Sequence, residues 1–127
     1  MSNNSNQFTD EYFISIVEFS NGNKLHKIFS NETGSLIGEK EYLPNGVLYK
    51  EVIIEVSGTD KLETRNEYYE TSLKFSKKYK NGLAHGLWIG YYPNGAISYS
   101  VNYNNNLKIG IELSYDTNGN IVSSRYH

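Results

Sequence analysis

Three histidines are the residues of this chain best suited to acid–base chemistry: His26, His85 and His127. The sequence shows no Ser-His-Asp order typical of a catalytic triad and no spaced metal cluster, and His85 is better explained as a turn or packing residue. Glycines recur every four residues from 82 to 90, which between strands indicates bulges and turns rather than a phosphate-binding loop. The absence of cysteine excludes thiol nucleophiles, thiolate zinc sites and disulfides. We therefore predict that the chain is not an enzyme and has no cofactor or metal site.

The charge of the chain argues against nucleic acid as a partner, because a nucleic-acid-binding domain usually has a basic face. The formal net charge is −2. Residues 1–64 carry 5 Lys/Arg and 10 Asp/Glu, whereas residues 65–127 carry 7 Lys/Arg and 4 Asp/Glu. An acidic first half favours a protein partner that is basic at the contact, with ordinary solvated surface as the alternative.

A cluster of glutamates is the first candidate for such a contact. In a hairpin closed at residues 45–46, Glu39 would lie directly opposite Glu51, with Glu41 on the same face. Like charges in that position destabilise a sheet, so folding alone does not explain them. We predict that Glu39, Glu41, Glu51 and Glu55 bind a partner, while a solvated edge and a Ca²⁺ site are the alternatives.

Two aromatic residues form the second candidate contact. The hairpin register predicts that Trp88 and Tyr92 share a face with Gly90, Ser98 and Ser100. Large aromatic side chains among small polar neighbours are either covered by a loop or offered to a partner. Because Trp and Tyr are favoured anchors of interfaces, we add Trp88 and Tyr92 to the predicted partner-binding residues.

The candidate residues belong to an internal sequence repeat, which we expect to fix their positions in the fold. Residues 79–102 align with residues 103–126 without a gap, and 9 of the 24 positions are identical. The dipeptide Asn-Gly recurs at residues 21–22 and 45–46, again 24 residues apart. Residues 57–78 hold a degenerate copy of the repeat. In it, Tyr68-Tyr69 corresponds to Tyr91-Tyr92, but the Asn-Gly turn is missing. A period of this length indicates a repeat architecture.

Each repeat predicts a β-hairpin, because Asn-Gly accepts the left-handed backbone of a tight turn and the flanking residues alternate in polarity. The predicted fold is all-β: a meander of repeated hairpins, about ten strands in a single elongated open-faced sheet. Residues 11–127 form this single domain, and polar residues 1–10 form a disordered tail. A helix is possible only near residues 60–70.

The segment KNGLAHGLWIGYYPNG, residues 80–95, resembles the variant form of the MORN repeat. The matching residues are Asn81, Gly82, His85, Gly86, Trp88, Tyr91, Asn94 and Gly95. The next copy keeps Gly110, Tyr115, Asn118 and Gly119 but has Ile109 and Glu112 at the His and Trp positions. The resemblance implies stacked hairpins without a catalytic motif, and a function among bacterial antitoxins, immunity proteins or scaffolds.

The preferred function is a non-catalytic inhibitor, antitoxin or immunity protein that neutralises a toxin or enzyme by binding it. A phage-encoded inhibitor of a bacterial defence enzyme would act through the same kind of surface binding. A scaffold or membrane-surface module is the alternative class. Without a visible secretory signal or membrane span, a cytoplasmic protein is expected. The C-terminal edge, residues 120–126, carries only Arg125 as a charge, which predicts a homodimer through that edge or its coverage by the N-terminal segment.

Overall fold

Twelve β-strands form one antiparallel sheet in the computed structural model, which describes residues 4–8 and 11–127. They are β1 (Asn4–Phe8), β2 (Tyr12–Glu18), β3 (Lys24–Ser30), β4 (Leu36–Tyr42), β5 (Leu48–Ser57), β6 (Asp60–Tyr68), β7 (Leu73–Lys80), β8 (Leu83–Ala84), β9 (Gly86–Tyr91), β10 (Ile97–Asn104), β11 (Leu107–Tyr115) and β12 (Ile121–Tyr126). The strands follow one another across the sheet in chain order, except that the short β8 pairs with β7 beside this path. The predicted fold class, a meander of hairpins in a single open sheet, is confirmed.

Three-residue loops close four hairpins, at residues 20–22, 44–46, 93–95 and 117–119. The third residue of each loop is a glycine with φ between 87° and 91°, a conformation that residues with a Cβ rarely adopt. In the first three loops the preceding Asn accepts a hydrogen bond through Oδ1 from the backbone N–H two residues later, at 2.9–3.0 Å. The Asn-Gly pairs are therefore the turns that the sequence predicts.

A β-bulge changes the predicted register of the hairpin formed by β9 and β10. Tyr91 is opposite Ile97 as predicted, but Gly90 is then opposite Tyr99, which leaves Ser98 without a partner. An unbulged hairpin would place Gly90 opposite Ser98 and carry the Tyr99 side chain to the other face. The bulge instead lays the Tyr99 ring over the space that the missing Cβ of Gly90 leaves open. The predicted register is wrong because burial of the Tyr99 ring stabilises the hairpin more than a regular alternation of side chains would.

The first hairpin, β2 and β3, keeps an unbulged register throughout. Val17 is opposite Leu25 and Phe13 is opposite Phe29, as the sequence predicts. The two phenylalanine rings stack with centroids 5.0 Å apart. The unbulged register already gives three apolar cross-strand pairs and places Glu18 opposite Lys24, so a bulge would break favourable pairs.

The degenerate copy at residues 57–78 folds as a hairpin of β6 and β7 with one bulge, and the prediction that a helix is possible near residues 60–70 is wrong. Tyr68 is opposite Leu73, as Tyr91 is opposite Ile97 in the next copy. The loop between them is one residue shorter and is closed by the Tyr69 N–H, which donates to the Ser72 carbonyl at 2.7 Å. The period-2 alternation of this segment decides its structure without the Asn-Gly signal.

Few side chains of the sheet are fully buried. Among the described residues, the buried hydrophobic ones are Ala84, 6% exposed, and Val101, 3% exposed. Val101 lies opposite Trp88 in the neighbouring strand. A single-layer sheet has no second layer to cover it, so large side chains lying over their neighbours provide most of the burial.

The N-terminal edge of the sheet differs from the predicted arrangement. Residues Asn4–Phe8 of the predicted disordered tail form β1, which pairs with β2, while residues 1–3, 9 and 10 lie outside the described residues. Pairing with β2 satisfies backbone groups that would otherwise form an open edge. Because β1 and β12 stand at opposite ends of the sheet, this part of the N-terminal segment does not cover the C-terminal edge. The homodimer through β12 stays a prediction.

Candidate protein-interaction surface

The sheet distributes the six predicted contact residues over both faces. We call the face that carries Trp88 the front face and the face that carries Glu51 the back face. Glu39, Glu41 and Trp88 lie on the front face, Glu51 and Glu55 on the back face, and Tyr92 beside a loop. Cross-strand partners share a face and successive residues alternate, so these six side chains are not brought together.

The predicted apposition of Glu39 and Glu51 is wrong. Tyr49 forms a bulge, so that Glu39 is opposite Val52 and Glu51 is opposite Lys40. Without the bulge this hairpin would contain two like-charge pairs, one of glutamates and one of lysines. With it, opposite charges face each other, which is the more stable arrangement of a cross-strand pair.

The remaining glutamates of this cluster have neighbours of their own. Glu41 is opposite Lys50, and its carboxylate accepts a hydrogen bond of 2.8 Å from the side-chain amide of the buried Asn23. Glu39 is opposite Lys27 on its other side. Of the four predicted glutamates, Glu55 is the one that is exposed, and the other three are half-buried. Among these four, a fully accessible acidic side chain is therefore to be sought at Glu55.

Glu51 is held firmly by two neighbours on β6. Its Oε1 accepts a hydrogen bond of 2.6 Å from the Tyr68 hydroxyl and one of 2.9 Å from the Asn66 amide. Burial raises the pKa of Glu51, but these two hydrogen bonds and the charge of Lys40 outweigh it and leave the pKa below its ordinary value. Burial, together with the bond to Glu51, raises the pKa of Tyr68 to about 12. Glu51 thus has a structural role between β5 and β6.

Trp88 is the centre of an aromatic cluster on the front face. Its ring centroid lies 5.3 Å from that of Tyr79 and 4.6 Å from that of Tyr103. The indole N–H donates to the Lys78 carbonyl at 2.8 Å. The predicted serine neighbours are wrong, because the bulge replaces Ser100 by Val101 opposite Trp88. The Trp88 side chain is half-buried, so part of it stays accessible.

Tyr92 connects successive repeats. Its hydroxyl donates to the Tyr115 carbonyl at 2.7 Å, and the Tyr69 hydroxyl makes the same contact with the Tyr91 carbonyl at 3.2 Å. The second tyrosine of each pair therefore ties one hairpin to the next. This contact gives Tyr92 a structural role, and its part in partner binding stays a prediction.

A cationic pair on the front face is the feature that the sequence reasoning missed. Arg65 on β6 is directly opposite Lys77 on β7. The Lys77 ammonium lies 4.4 Å from the ring centroid of Phe75 and 4.9 Å from that of Trp88. The Arg65 guanidinium lies 4.7 Å from the ring centroid of Tyr79. The signal was in the sequence: Phe75, Lys77 and Tyr79 alternate at every second residue and so share a face.

Exposed apolar side chains accumulate on the back face at the C-terminal end of the sheet. Leu107 is 71% exposed and Tyr126 is 81% exposed. We define the C-terminal patch by its members on β11 and β12: Leu107, Ile109, Ile111, Ile121 and Tyr126. A contiguous exposed apolar patch on a soluble domain commonly marks an interaction site.

The three histidines lie in separate surroundings. The His26 ring lies 4.7 Å from that of Tyr42, and burial together with Lys24 and Lys40 lowers the pKa of His26. His85 stands between β8 and β9, and its Nδ1 is buried without a hydrogen-bond partner among the described residues. His127 contacts Glu112 at 2.8 Å. Within the described ranges no three His, Asp or Glu residues are grouped as a metal site would require.

Comparison with protein-family models, with curated proteins and with solved structures finds no match to this chain. The resemblance to the MORN-repeat variant therefore rests on the sequence motif of residues 80–95 and its repetition in the following copy. The part of the chain that the structure describes contains no helix that could cross a membrane.

Proposed function

We propose that this chain is a non-catalytic binding protein that neutralises a partner toxin or enzyme by occupying its surface. Bacterial antitoxins, immunity proteins and phage inhibitors of defence enzymes act in this way. The observation that carries the proposal is the C-terminal patch, in which five apolar side chains on two adjacent strands are offered to solvent. Removal of such side chains from water on binding is a large source of affinity.

The open sheet supports the same function. Both faces of a single-layer sheet present side chains at a regular spacing, and the hairpin repeat fixes their positions relative to one another. A rigid surface loses little conformational entropy on binding, so more of the interaction energy appears as affinity. The resemblance to MORN-repeat variants adds a class of proteins for which binding without catalysis is the expected activity.

A growth-protection experiment tests the proposal. The product of the gene adjacent to that of this chain is expressed in a bacterial host, and its toxicity is measured with and without this chain. We expect the wild-type chain to restore growth and to co-purify with the toxic protein. If it does neither, the proposed function is wrong.

Variants locate the contact. Ile111→Lys and Ile121→Lys place charges within the C-terminal patch and should abolish protection, because a buried unpaired charge is costly. Val56→Lys is the control, since Val56 is an aliphatic residue on β5 outside the patch and is more exposed, at 73%, than Ile111 or Ile121. Equal protection by all three variants would remove the C-terminal patch as the contact.

A further inference from the structure

Five Asn-Gly pairs occur in this chain, beginning at residues 21, 45, 81, 94 and 118. Asparagine is a chemically labile side chain, and a following glycine is the neighbour that hinders attack on it least, because it has no side chain. The glycine backbone nitrogen loses its proton and forms a C–N bond with the side-chain amide carbon. The side-chain nitrogen leaves as ammonia, and a succinimide ring remains. Water then opens the ring to aspartate or to isoaspartate, in which the backbone runs through the former side chain.

Exposure and backbone conformation do not distinguish these pairs. All five asparagines are exposed to solvent. Four of the pairs, at residues 21–22, 45–46, 94–95 and 118–119, close three-residue loops whose glycines have φ between 87° and 91°. The rate of ring closure should therefore depend on how firmly each side-chain amide is held.

In three of these loops the asparagine side chain is held by the loop itself. Oδ1 of Asn21, Asn45 and Asn94 accepts a hydrogen bond of 2.9–3.0 Å from the backbone N–H two residues later. Nδ2 of Asn94 also donates to the Thr117 carbonyl at 3.0 Å. Ring closure requires the amide plane to turn toward the glycine nitrogen, so these bonds must break first and each of them slows the reaction.

Asn81 lies outside these loops and is held at both ends of its side chain. Its Oδ1 accepts a hydrogen bond of 2.8 Å from the Lys61 backbone N–H, and its Nδ2 donates to Oδ1 of Asp60 at 2.9 Å. Asn81 should therefore be protected at least as well as Asn94.

The fourth loop lacks this restraint, because Asp116 takes the donor that would provide it. Oδ1 of Asp116 accepts the backbone N–H of Asn118 and also that of Asn120, both at 2.9 Å. The Asn120 N–H corresponds to the group that holds the asparagine in the other three loops. Among the described residues, no group forms a hydrogen bond with the Asn118 side chain. This side chain is therefore free to turn toward the nitrogen of Gly119.

We propose that Asn118 is a site of spontaneous modification, at which the chain converts asparagine to aspartate or isoaspartate faster than at its other Asn-Gly pairs. Water is the co-reactant and ammonia is the leaving group. The loop at residues 117–119 joins β11 and β12, which carry the C-terminal patch. Either product adds a negative charge to this loop, and isoaspartate adds a CH₂ group to its backbone. The proposal does not rest on the proposed function.

The test incubates the purified full chain in mildly alkaline buffer made with heavy-oxygen water. Peptide mapping by mass spectrometry follows each Asn-Gly pair, because opening of the ring introduces a labelled oxygen. We expect Asn118 to convert about tenfold faster than Asn94 or Asn81, whose two hydrogen bonds raise the barrier by the corresponding amount of about 1.4 kcal/mol. The rates at Asn21 and Asn45, which have one such bond each, should lie between these limits.

The same measurement in urea separates the effect of the restraint from that of the local sequence. Unfolding removes the side-chain hydrogen bonds from all five sites, so their rates of conversion should become similar. Asn118 should then lose its lead, although its neighbours along the chain are unchanged.

Asp116→Leu tests the source of the difference in the folded chain. Leucine is the residue at the same place before the second loop, at position 43. Without the carboxylate, the Asn120 N–H can donate to Oδ1 of Asn118, as the Val47 N–H donates to Asn45. Conversion at Asn118 should slow several-fold, to the rate at Asn45.

Leu43→Asp is the reciprocal variant. Its carboxylate can accept the Val47 N–H in place of Asn45, so conversion at Asn45 should accelerate several-fold while conversion at Asn94 is unchanged. Because Leu43 is half-buried, circular dichroism first establishes that the variant folds. If it does not fold, Asp116→Leu and the comparison in urea decide the outcome.

Three results would overturn the proposal: equal rates at Asn118 and Asn94 in the folded chain, a lead of Asn118 that persists in urea, or an unchanged rate at Asn118 in Asp116→Leu. None of these measurements involves the toxic partner. Slow conversion at Asn118 therefore removes only the modification site. Absence of growth protection by the wild-type chain removes only the proposed function.

Discussion

The hairpins β4–β5 and β6–β7 contain the same irregularity with opposite electrostatic results. In both, one residue is bulged just after the pair that closes the loop. Between β4 and β5 the bulge places Glu51 opposite Lys40 and so separates like charges. Between β6 and β7 it places Arg65 opposite Lys77 and so creates a like pair. Electrostatics therefore favours the first bulge and opposes the second.

Different forces fix the registers of the two hairpins. In β4–β5 the cross-strand charges suffice, since each opposite-charge pair contributes up to about 1 kcal/mol relative to neutral pairs. In β6–β7 the Tyr79 ring, which the bulge brings beside Trp88, outweighs the charge repulsion, because it buries a large apolar area. The comparison shows that aromatic packing can override the pairing of cross-strand charges.

Gly90→Ala should have the largest effect on stability, because it attacks the aromatic packing of the front face directly. A Cβ at Gly90 would collide with the Tyr99 ring. We expect the free energy of unfolding, measured by urea denaturation, to fall by about 3 kcal/mol. In a Tyr99→Ala background the added methyl group has room, so Gly90→Ala should cost much less there. An equal cost in both backgrounds would contradict the packing of Tyr99 over Gly90.

Tyr68→Phe should have an intermediate effect on stability, because it removes the side-chain hydrogen bond that links β5 and β6. Loss of the hydrogen bond to Glu51 should lower the free energy of unfolding by about 1 kcal/mol at neutral pH. The folded chain lowers the pKa of Glu51, so the stability that this carboxylate contributes is present above its unfolded pKa and is lost as the pH falls through the lowered value.

The difference between the wild-type chain and Tyr68→Phe should therefore shrink in acid. Urea denaturation of both proteins at neutral pH and at about pH 3 measures it. A difference that stays the same at both pH values would mean that the carboxylate of Glu51 is not the partner of Tyr68.

A lysine-to-glutamate change in each hairpin compares the contribution of cross-strand charges to the stability of the two hairpins. Lys77→Glu would face Arg65 and should raise the free energy of unfolding by about 0.5 kcal/mol. Lys50→Glu would face Glu41 on one side and Glu67 on the other, and should lower it by at least that amount. Thermal or urea denaturation of the two variants provides the measurement. Destabilisation by both would show that Lys77 is required for folding.

Glu55→Lys should have the smallest effect on stability, within about 0.5 kcal/mol, because Glu55 is exposed and lies opposite Leu62. The same variant also tests whether the partner is basic where it contacts this chain. If the acidic residues bind the toxic protein, this variant should slow association and reduce its dependence on salt. Unchanged association kinetics would leave Glu55 as solvated surface.

The hairpin repeat was predictable because its signals are local. Asn94 and Gly95 define a turn through their own conformational preferences, and a spacing of 24 residues repeats that turn along the chain. The copy at residues 57–78 lacks the turn signal, yet its alternation identifies two strands. Local patterns of this kind carry over directly from sequence to structure.

The registers beyond the turns were less predictable, because a bulge is decided by contacts across the sheet. In β4–β5 the charges alone could have revealed it, since only the bulged register places Glu41 opposite Lys50 and Glu51 opposite Lys40. In β9–β10 the reason is the space above Gly90, which is visible only in three dimensions. The candidate contact is therefore the C-terminal patch rather than the glutamates, because the bulge places Glu41 and Glu51 opposite lysines.

Disulfide trapping tests the opposition of Arg65 and Lys77 most directly, because the chain has no native cysteine. Two double variants are oxidised: Arg65→Cys with Lys77→Cys, and Arg65→Cys with Ser76→Cys. Directly opposite residues of an antiparallel pair have a Cα separation that a disulfide can span, whereas a neighbour on the other face directs its Cβ away. We predict that the first variant forms the disulfide readily and the second does not. Formation of the bond between positions 65 and 76 but not between 65 and 77 would contradict the bulged register and the cationic pair that it creates.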